Sequence, residues 1–450
     1  MGLMSIYNRS PIFLQNLFTT AQGLIYKRER YGKVYRRAVK EYSSRAGASY
    51  ETLCAYQNER VSELVRFAAE NTDFYRQFYK NIRVEDIRTV DDLKKLPVLP
   101  KETVRKNIGA MYSKAPGKRL KTSTSGTTGT SLNFSWLQSD MQRRMAYLDA
   151  FKMQHGFLPM KMKRASFNSS KIVPPNQKKK VFWRTNWAIK QRIYSGYHCK
   201  GDNIPYYVEN LNRFRPEAID GYPSAIYEVA RYILKHHITL RFQPIAVFPT
   251  AETLLPHYKE TIEKAFRCPC RDQYASSEGA PFITECRCGR LHYCMDTGVI
   301  EFGDDGNMIV TCFESHGTPL IRYEIGDRAF LAQEQRCECG SSMPVVEQIE
   351  GRNLDYIQSK SNGRFTSIYM SLVSAEFANC MKKMQFVQND LDSVDVYLAT
   401  DDAYRESMNQ IILDKLHYSL GADMEIRIHV VEEIPKDASG KFRLIINKTV

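Results

Sequence analysis

The sequence predicts an α/β fold. A large multi-layer N-terminal domain with mixed sheets and helices spans residues 1–354, and a small mobile α+β domain spans 355–450. Three observations carry this. Residues 1–110 read as a helical lead, with apolar residues at helical period. From about 115 to 350 short strand-like runs alternate with helical stretches, as in "AIDGYPSAIYEVARYILKHH" followed by "IAVFPTAETL". After "IEGRNLDYI" the pattern turns to "DSVDVYLAT", "YRESMNQIILDKLHYSL" and "MEIRIHVVEEI", a strand–helix–strand order suited to a small separate domain with its hinge near Asp355.

Taken in order, the lead contains "YETLCAYQNERVSELVRFAAEN", and Pro97 and Pro100 are expected to end it. Before that, Phe13, Leu14, Leu17, Phe18, Leu24 and Ile25 recur at helical spacing just ahead of the basic "KRERYGKVYRR". Two readings are open: an interfacial helix, meaning peripheral membrane association, or a helix docking its apolar face on the protein body. The second is preferred. Leu132, Phe134 and Trp136 alternate as a strand, and a helix is expected from Ser139 with Gln142 as its capping partner. "PPNQKKKVFWRTNW" (174–187) reads as a solvated basic insertion, and no internal repeat is found.

At 450 residues the chain holds one large domain and a smaller one. Its formal charge of +14 favours anionic partners: nucleotides, a coenzyme, nucleic acid or acidic lipid. Eleven cysteines without a secretory signal predict reduced thiols or metal ligands and a cytoplasmic chain. No stretch approaches the roughly 18 apolar residues that a spanning helix needs. Oligomeric state is not legible.

"TSTSGTTGTS" (122–131) is Thr, Ser and Gly only. Backbone N–H groups in such a loop can wrap a phosphate because no bulky side chain blocks the approach, and the hydroxyls add donors. The Walker pattern fails, since no Lys precedes the final Ser/Thr. Alone, the stretch also reads as a surface turn. "YASSEG" then sets Tyr274, Ser277 and Glu278 within five residues, a flat ring for a base with oxygens for Mg²⁺. In "PLIRYEIGDRA", Asp327 follows a Gly in an expected turn, where a carboxylate can accept both hydroxyls of a ribose. "EGRNLD" supplies Arg352, and "PKDASGKFR" presents Lys441 beyond a Ser–Gly turn.

In that order these motifs resemble the adenylate-forming superfamily, and within it the phenylacetate–CoA ligase-like branch that includes capsule-biosynthesis proteins of the CapK type. The resemblance runs from about residue 60 to the C-terminus. It implies that Ser125, Gly126, Thr127, Thr128 and Gly129 clamp ATP phosphates, that Ala251 and Glu252 in "PTAETL" contact adenine, and that Tyr274 and Ser277 belong to the same nucleotide site. It further implies Glu278 on Mg²⁺, Asp327 on ribose, Arg352 before the hinge, and Lys441 stabilising the adenylation transition state. "IDGYPSAI" resembles the acyl-pocket segment, with Tyr222, Pro223 and Ser224, though a turn capping the next helix is an equal reading; Trp183, Trp187 and His198 are read as packing. The implied reaction joins a carboxylic acid to AMP and passes the acyl group to CoA or another acceptor, in polysaccharide or capsule biosynthesis. Ala275 stands where the family has Gly.

"ECRCGRLH" and "RCECGSS" each carry a Cys-x-Cys-Gly knuckle, which predicts a closed structural Zn²⁺ site of Cys286, Cys288, Cys337 and Cys339, with His292 and Cys294 as alternative ligands. Cys268 and Cys270 read as strand residues facing a core. Two competing classes stay open: a zinc-knuckle nucleic-acid-binding protein and a non-catalytic family member. The ordered "YASSE", "IGD" and "SGK" segments argue for the enzyme and against a nucleic-acid partner, which needs none of them.

Overall fold

The computed structural model describes the chain except for residues 1–2, 124–131, 169–171, 175–176, 197, 200, 252–253, 255, 305, 351–355, 378–379, 401, 435–443 and 450. It divides into two compact units, Met1–Thr122 with Asn133–Ile349 and Ser123–Leu132 with Glu350–Val450.

The first unit opens with helices α1 (Leu3–Arg9), α2 (Ile12–Arg30), α3 (Lys33–Arg45), α4 (Tyr50–Asn71), α5 (Asp73–Phe78) and α6 (Lys101–Met111). The Ser49 hydroxyl caps α4 by accepting from the Thr52 N–H at 3.3 Å, and Leu53, Gln57, Val61, Leu64, Val65 and Ala68 form its buried stripe. Pro100 does not end the lead as expected. It stands immediately before α6, where a missing N–H costs nothing because the first-turn donors have no helical partner.

Strands β1 (Arg119–Ser123) and β2 (Asn133–Leu137) pair with each other. The next helix, α7 (Gln138–Gln154), starts one residue earlier than expected, and its reciprocal cap is Asp140, which accepts from the Leu137 N–H at 3.1 Å. Gln142 is used elsewhere. It accepts from Tyr35 N–H at 3.2 Å and donates to the Glu29 carbonyl at 3.0 Å, fixing the α2–α3 corner.

A five-stranded sheet follows, with β3 (Arg164–Asn168), β4 (Trp183–Asn186), β5 (Gln191–Ser195), α8 (Ile204–Phe214), β6 (Ala218–Gly221), α9 (Pro223–Lys235), β7 (Ala246–Pro249) and α10 (Pro256–Phe266) in chain order. The strand order is β4-β5-β3-β6-β7; the β5–β3–β6–β7 pairs are parallel and β4 runs antiparallel at the edge. The expected basic insertion thus contains an edge strand, and Arg184 within it is fully buried. Ile219, Val247, Phe167 and Tyr194 pack against Val229, Ile233 and Phe266. This layered apolar core is what helices over a parallel sheet require.

Against β4 lies α2, in the opposite sense to the preferred reading. Its buried residues are Gln15, Thr19 and Gly23, while Phe13, Leu24 and Ile25 are more than half exposed. Asn16 Oδ1 accepts from the Thr185 N–H at 2.9 Å, and Thr20 Oγ1 accepts from the Trp187 N–H at 3.2 Å. The helix spends its polar stripe satisfying a sheet edge that would otherwise hold orphan donors.

The third layer is a seven-stranded sheet of β8 (Gln273–Tyr274), β9 (Ile283–Glu285), β10 (Leu291–Tyr293), β11 (Gly298–Phe302), β12 (Asn307–Cys312), β13 (Tyr323–Leu331) and β14 (Val345–Glu350), in the order β11-β12-β13-β14-β10-β9-β8.

The second unit contains β15 (Tyr356–Ser359), β16 (Gly363–Thr366), α11 (Ser367–Glu376), β17 (Met381–Gln388), β18 (Ser393–Thr400), α12 (Met408–Leu420), β19 (Glu425–Val431) and β20 (Ile445–Asn447). Its main sheet runs β19-β18-β17-β20, with Phe386, Val394, Val396 and Leu398 packed on Ile412, Leu416 and Leu420. That is an α+β arrangement, as the sequence predicts.

Candidate functional site

Parallel strands β3, β6 and β7 end together, and their C-terminal edge is where ligands settle in open α/β sheets. At this edge the Tyr222 N–H donates to the Phe167 carbonyl at 2.9 Å and the Thr250 N–H to the Gly221 carbonyl at 2.9 Å. Gly221 is obligatory. Its φ is +127°, and a Cβ would fall onto the Phe167 carbonyl oxygen. Pro223 opens α9 and Tyr222 stands at its N-cap position without a side-chain cap hydrogen bond, so "GYPS" is the turn into that helix. Ala251 follows β7 with a left-handed φ of +70° and is exposed. His198 is buried against Ser195 Oγ at 2.8 Å and stacked on Phe182, and Trp183 packs on the core, as expected; Trp187 is half exposed.

Gln273 ties β8 to this edge by donating from Nε2 to the Pro249 carbonyl at 3.1 Å. The next residue, Tyr274, donates its hydroxyl to Asp327 Oδ2 at 2.8 Å. Burial raises the Tyr274 phenol well above its usual range, and the Asp327 and Glu278 carboxylates raise it further. Tyr274, Glu278 and Asp327, which the sequence leaves up to 53 positions apart, therefore share one electrostatic environment. Asp327 is not in a turn, as expected, but within β13; Gly326 before it has φ +84°.

Glu278 sits on a tight turn. The Gly279 N–H donates to the Ser276 carbonyl at 3.2 Å and the Ala280 N–H to Ser276 Oγ at 3.1 Å. Gly279 has φ +96°, and a Cβ there would meet Trp136 at 3.1 Å. The turn is held from behind by Arg144 of α7, whose Nη1 donates to the Gly279 carbonyl at 2.7 Å and the Ala280 carbonyl at 3.0 Å, while Nη2 reaches Ser276 at 3.4 Å. The guanidinium also lies over the Phe282 ring at 4.3 Å. Glu278 is buried, Ser277 beside it is exposed, and Lys101 Nζ approaches Glu278 Oε1 at 3.5 Å. Lys101 is delivered by Leu99, which bonds the start of β13: its N–H donates to the carbonyl of Arg322, just before the strand, at 2.8 Å, and its carbonyl accepts from the Glu324 N–H at 3.0 Å. A single buried carboxylate suits Mg²⁺, which takes one or two protein oxygens and keeps most of its coordination for water and phosphate oxygens; here Lys101 is the cation beside it.

Sequence reasoning misses Lys101 and Arg144. Neither lies in a local motif, and their roles arise only from the packing of α6 and α7. Ser125, Gly126, Thr127, Thr128, Gly129, Glu252, Arg352 and Lys441 lie outside the described residues, as does Asp355.

The two knuckles fold alike. The Gly289 N–H donates to the Cys286 carbonyl at 3.1 Å with φ +81°, and the Gly340 N–H to the Cys337 carbonyl at 3.0 Å with φ +80°. They do not contribute alike. Cys286, His292, Cys337 and Cys339 gather with their ligand atoms within 4.8 Å of one another, whereas Cys288 is exposed and outside the group. His292, on β10, stands where Cys288 was expected, because the hairpin turn points Cys288 away while the strand aims the imidazole inward. Cys294 is also outside, buried and hydrogen-bonded with Tyr147 and Thr284.

The spacing fits Zn²⁺. Tetrahedral bonds of about 2.3 Å to sulfur and 2.0 Å to nitrogen give edges of about 3.8 Å for S···S and 3.5 Å for S···N. Cys286 Sγ to Cys337 Sγ is 3.7 Å, and Cys339 Sγ to His292 Nε2 is 3.5 Å. His292 Nδ1 is 2.9 Å from the Met343 carbonyl, which fixes the tautomer that leaves Nε2 free to ligate. Burial alone would raise the Cys337 thiol; the Cys339 N–H and hydrogen bonds with His292, Cys339 and Cys286 outweigh it and bring it down to about 7. Cys268 and Cys270 are buried in the core, as expected, but not within a strand: Cys268 lies in a bend and Cys270 makes only an isolated bridge with Val247.

A separate cavity of about 520 Å³ lies among α3, α4 and α7, lined by Arg45, Arg60, Arg143, Glu314 and His316. It shares no lining residue with the Tyr274–Asp327 site.

A 2-hydroxyisobutyryl-CoA ligase in complex with 2-HIB-AMP and CoA superposes with a TM-score of 0.61 at 16% identity, over 90% of this chain and 91% of that one. The same ligase in its postadenylation state gives 0.59 at 15% identity, again over 90% and 91%. The phenylacetate-coenzyme A ligase of Thermus thermophilus is 20% identical over 88% of this chain and 97% of its own. The fold is therefore that of the adenylate-forming CoA ligases. Residues 356–448 match the CapK C-terminal domain. Protein CapK of Staphylococcus aureus is 40% identical over 448 residues, 98% of each chain, and the protein belongs to the CapK family. Among the described residues no helix is long and apolar enough to cross a membrane.

Proposed function

We propose that this protein activates a carboxylic acid as its acyl-adenylate at the expense of ATP and transfers the acyl group to CoA or another acceptor. The observation that carries the reading is the Tyr274–Asp327 hydrogen bond beside buried Glu278, set at the C-terminal edge of the parallel strands. Tyr274 offers a ring face to the base and Asp327 a carboxylate oxygen to the ribose hydroxyls. The Ser125–Gly129 loop supplies amides and hydroxyls to the phosphates, Ala251 and Glu252 border the adenine, and Arg352 precedes the hinge of a lid formed by 355–450. Glu278 would hold Mg²⁺, which when bound would supply charge neutralisation at the phosphates. The acid's oxygen attacks the α-phosphorus and pyrophosphate leaves, so the protein's task is positioning and charge stabilisation. Lys441 is assigned the cation that stabilises the growing charge, and Cys286, His292, Cys337 and Cys339 hold a structural Zn²⁺. A place in polysaccharide or capsule biosynthesis rests on the family alone, and the cytoplasmic location on the reduced-thiol reading.

The test is pyrophosphate release, with Mg·ATP present, across panels of aryl, fatty and amino acids. Acid-dependent release should appear with one class and fall by roughly 10²–10³ in Lys441→Ala. Release by no acid, or an unchanged rate in Lys441→Ala, refutes the assignment.

A further inference from the structure

The orientation of α2 is dictated by the sheet it covers. Beyond the Asn16 and Thr20 contacts, Thr20 Oγ1 donates to the Thr185 carbonyl at 3.3 Å, and Gln15 Oε1 accepts from the buried Arg184 Nε at 2.6 Å. Gly23 lies against the Asn186 side chain so closely that a Cβ has no room. Rotating the helix to bury its apolar stripe would orphan the edge of β4 and a buried guanidinium. The apolar stripe is therefore held outward by the fold.

That stripe is large. Phe13, Leu14, Leu17, Phe18, Leu24 and Ile25 are 41–63% exposed, and Met4 and Ile6 on the preceding α1 are exposed as well. Trp187, 51% exposed, follows β4 beside Thr20, an amphipathic ring of the kind that sits at a polar–apolar boundary. Scattered exposed apolar residues need no explanation, but a contiguous face along one helix does.

Charge selects the occupant. Residues 1–40 hold eight basic residues and one acidic residue, Glu29, which is already paired with Lys118 at 2.9 Å. Lys27, Arg28, Lys33, Arg36, Arg37 and Lys40 are on α2 and α3, and all of them are exposed. A second copy docked on this face would set two basic rims against each other, because a two-fold contact repeats the same patch. An anionic lipid surface instead takes the apolar side chains among its acyl chains and the rim among its headgroups. We infer that α1 and α2 form a membrane-docking face that lies in the interface of a bilayer rich in anionic lipid.

The test uses the full chain in co-sedimentation with vesicles of phosphatidylcholine alone and of phosphatidylcholine with an equal share of phosphatidylglycerol. Binding should be at least roughly tenfold tighter to the anionic vesicles and weaken with salt. The Leu17→Gln/Phe18→Gln and Lys27→Glu/Arg28→Glu double variants should each lose roughly tenfold or more while their thermal unfolding stays that of the parent, since these side chains are exposed. Equal binding to both vesicles, absence of binding, or full binding by both variants overturns the inference. A concentration-dependent dimer that Leu17→Gln/Phe18→Gln dissolves, without lipid binding, gives the face to a second copy and overturns it equally.

Discussion

Replacing Arg144 with Met tests whether the Glu278 turn is held from α7. Arg144 is 6% exposed and donates to two carbonyls at 2.7 and 3.0 Å and to a third at 3.4 Å. Each buried acceptor left without a donor costs about 1–3 kcal/mol. Burial lowers the Arg144 guanidinium below its usual range, so removing the charge returns part of that loss. The net destabilisation should be about 2–4 kcal/mol. Met retains length and apolar contact with Phe282 and Trp136, so folding should survive. The freed turn no longer fixes Glu278, and a displacement of about 1 Å at a reacting centre is worth roughly 10² in rate. Initial rates of pyrophosphate release measured against Mg·ATP should fall by about that factor, with a raised Mg²⁺ requirement. Arg144→Lys, which keeps the charge but cannot span three carbonyls, should fall in between. A parental rate and Mg²⁺ requirement in Arg144→Met would refute the reasoning, whatever happens to stability.

Elemental analysis should find about one zinc per chain in the parent and in Cys288→Ser, and little in Cys337→Ser or His292→Ala. Metal lost from Cys288→Ser but kept in His292→Ala would restore the four-cysteine set. Asp272 is raised from 3.8 to about 6, first by burial and then by Glu285, against the opposing Gln273 N–H. The folded state thus holds this proton more tightly than the unfolded one. The resulting stability is present at low pH and is lost as pH rises from about 4 through about 6. Asp272→Asn should therefore be more stable than the parent at pH 8, by up to about 3 kcal/mol, with the difference vanishing near pH 4. Equal melting temperatures at pH 8 would contradict this.

Much of the architecture was legible because periodicity survives folding. "YETLCAYQNERVSELVRFAAEN" is α4 from end to end, and "DSVDVYLAT" and "MEIRIHVVEEI" contain β18 and β19. What failed shares a cause: a long-range partner outranked a local signal. Gln142 had the right spacing for a cap, yet the Tyr35 and Glu29 backbone claimed it. "KKKVFWRTNW" looked solvated because its charge is visible in sequence, whereas the glutamine that buries Arg184 is 169 positions away. Cys288 and Cys286 are equivalent by motif, and only the hairpin geometry separates them. For the site, the ordered motifs and the family resemblance they carry pointed to Tyr274, Glu278 and Asp327; the helices that hold them in place have no motif to read.

The way α2 seals the sheet also constrains how this protein can be shortened. A chain beginning after residue 32 would lose the side chains that answer Thr185 and Trp187, leaving β4 as a bare strand with donors and acceptors turned to solvent. Such a strand recruits another strand, so the trimmed protein should tend to polymerise edge to edge. The N-terminal helices serve as a stopper as well as a surface, and the two roles can be separated by substitution but not by deletion.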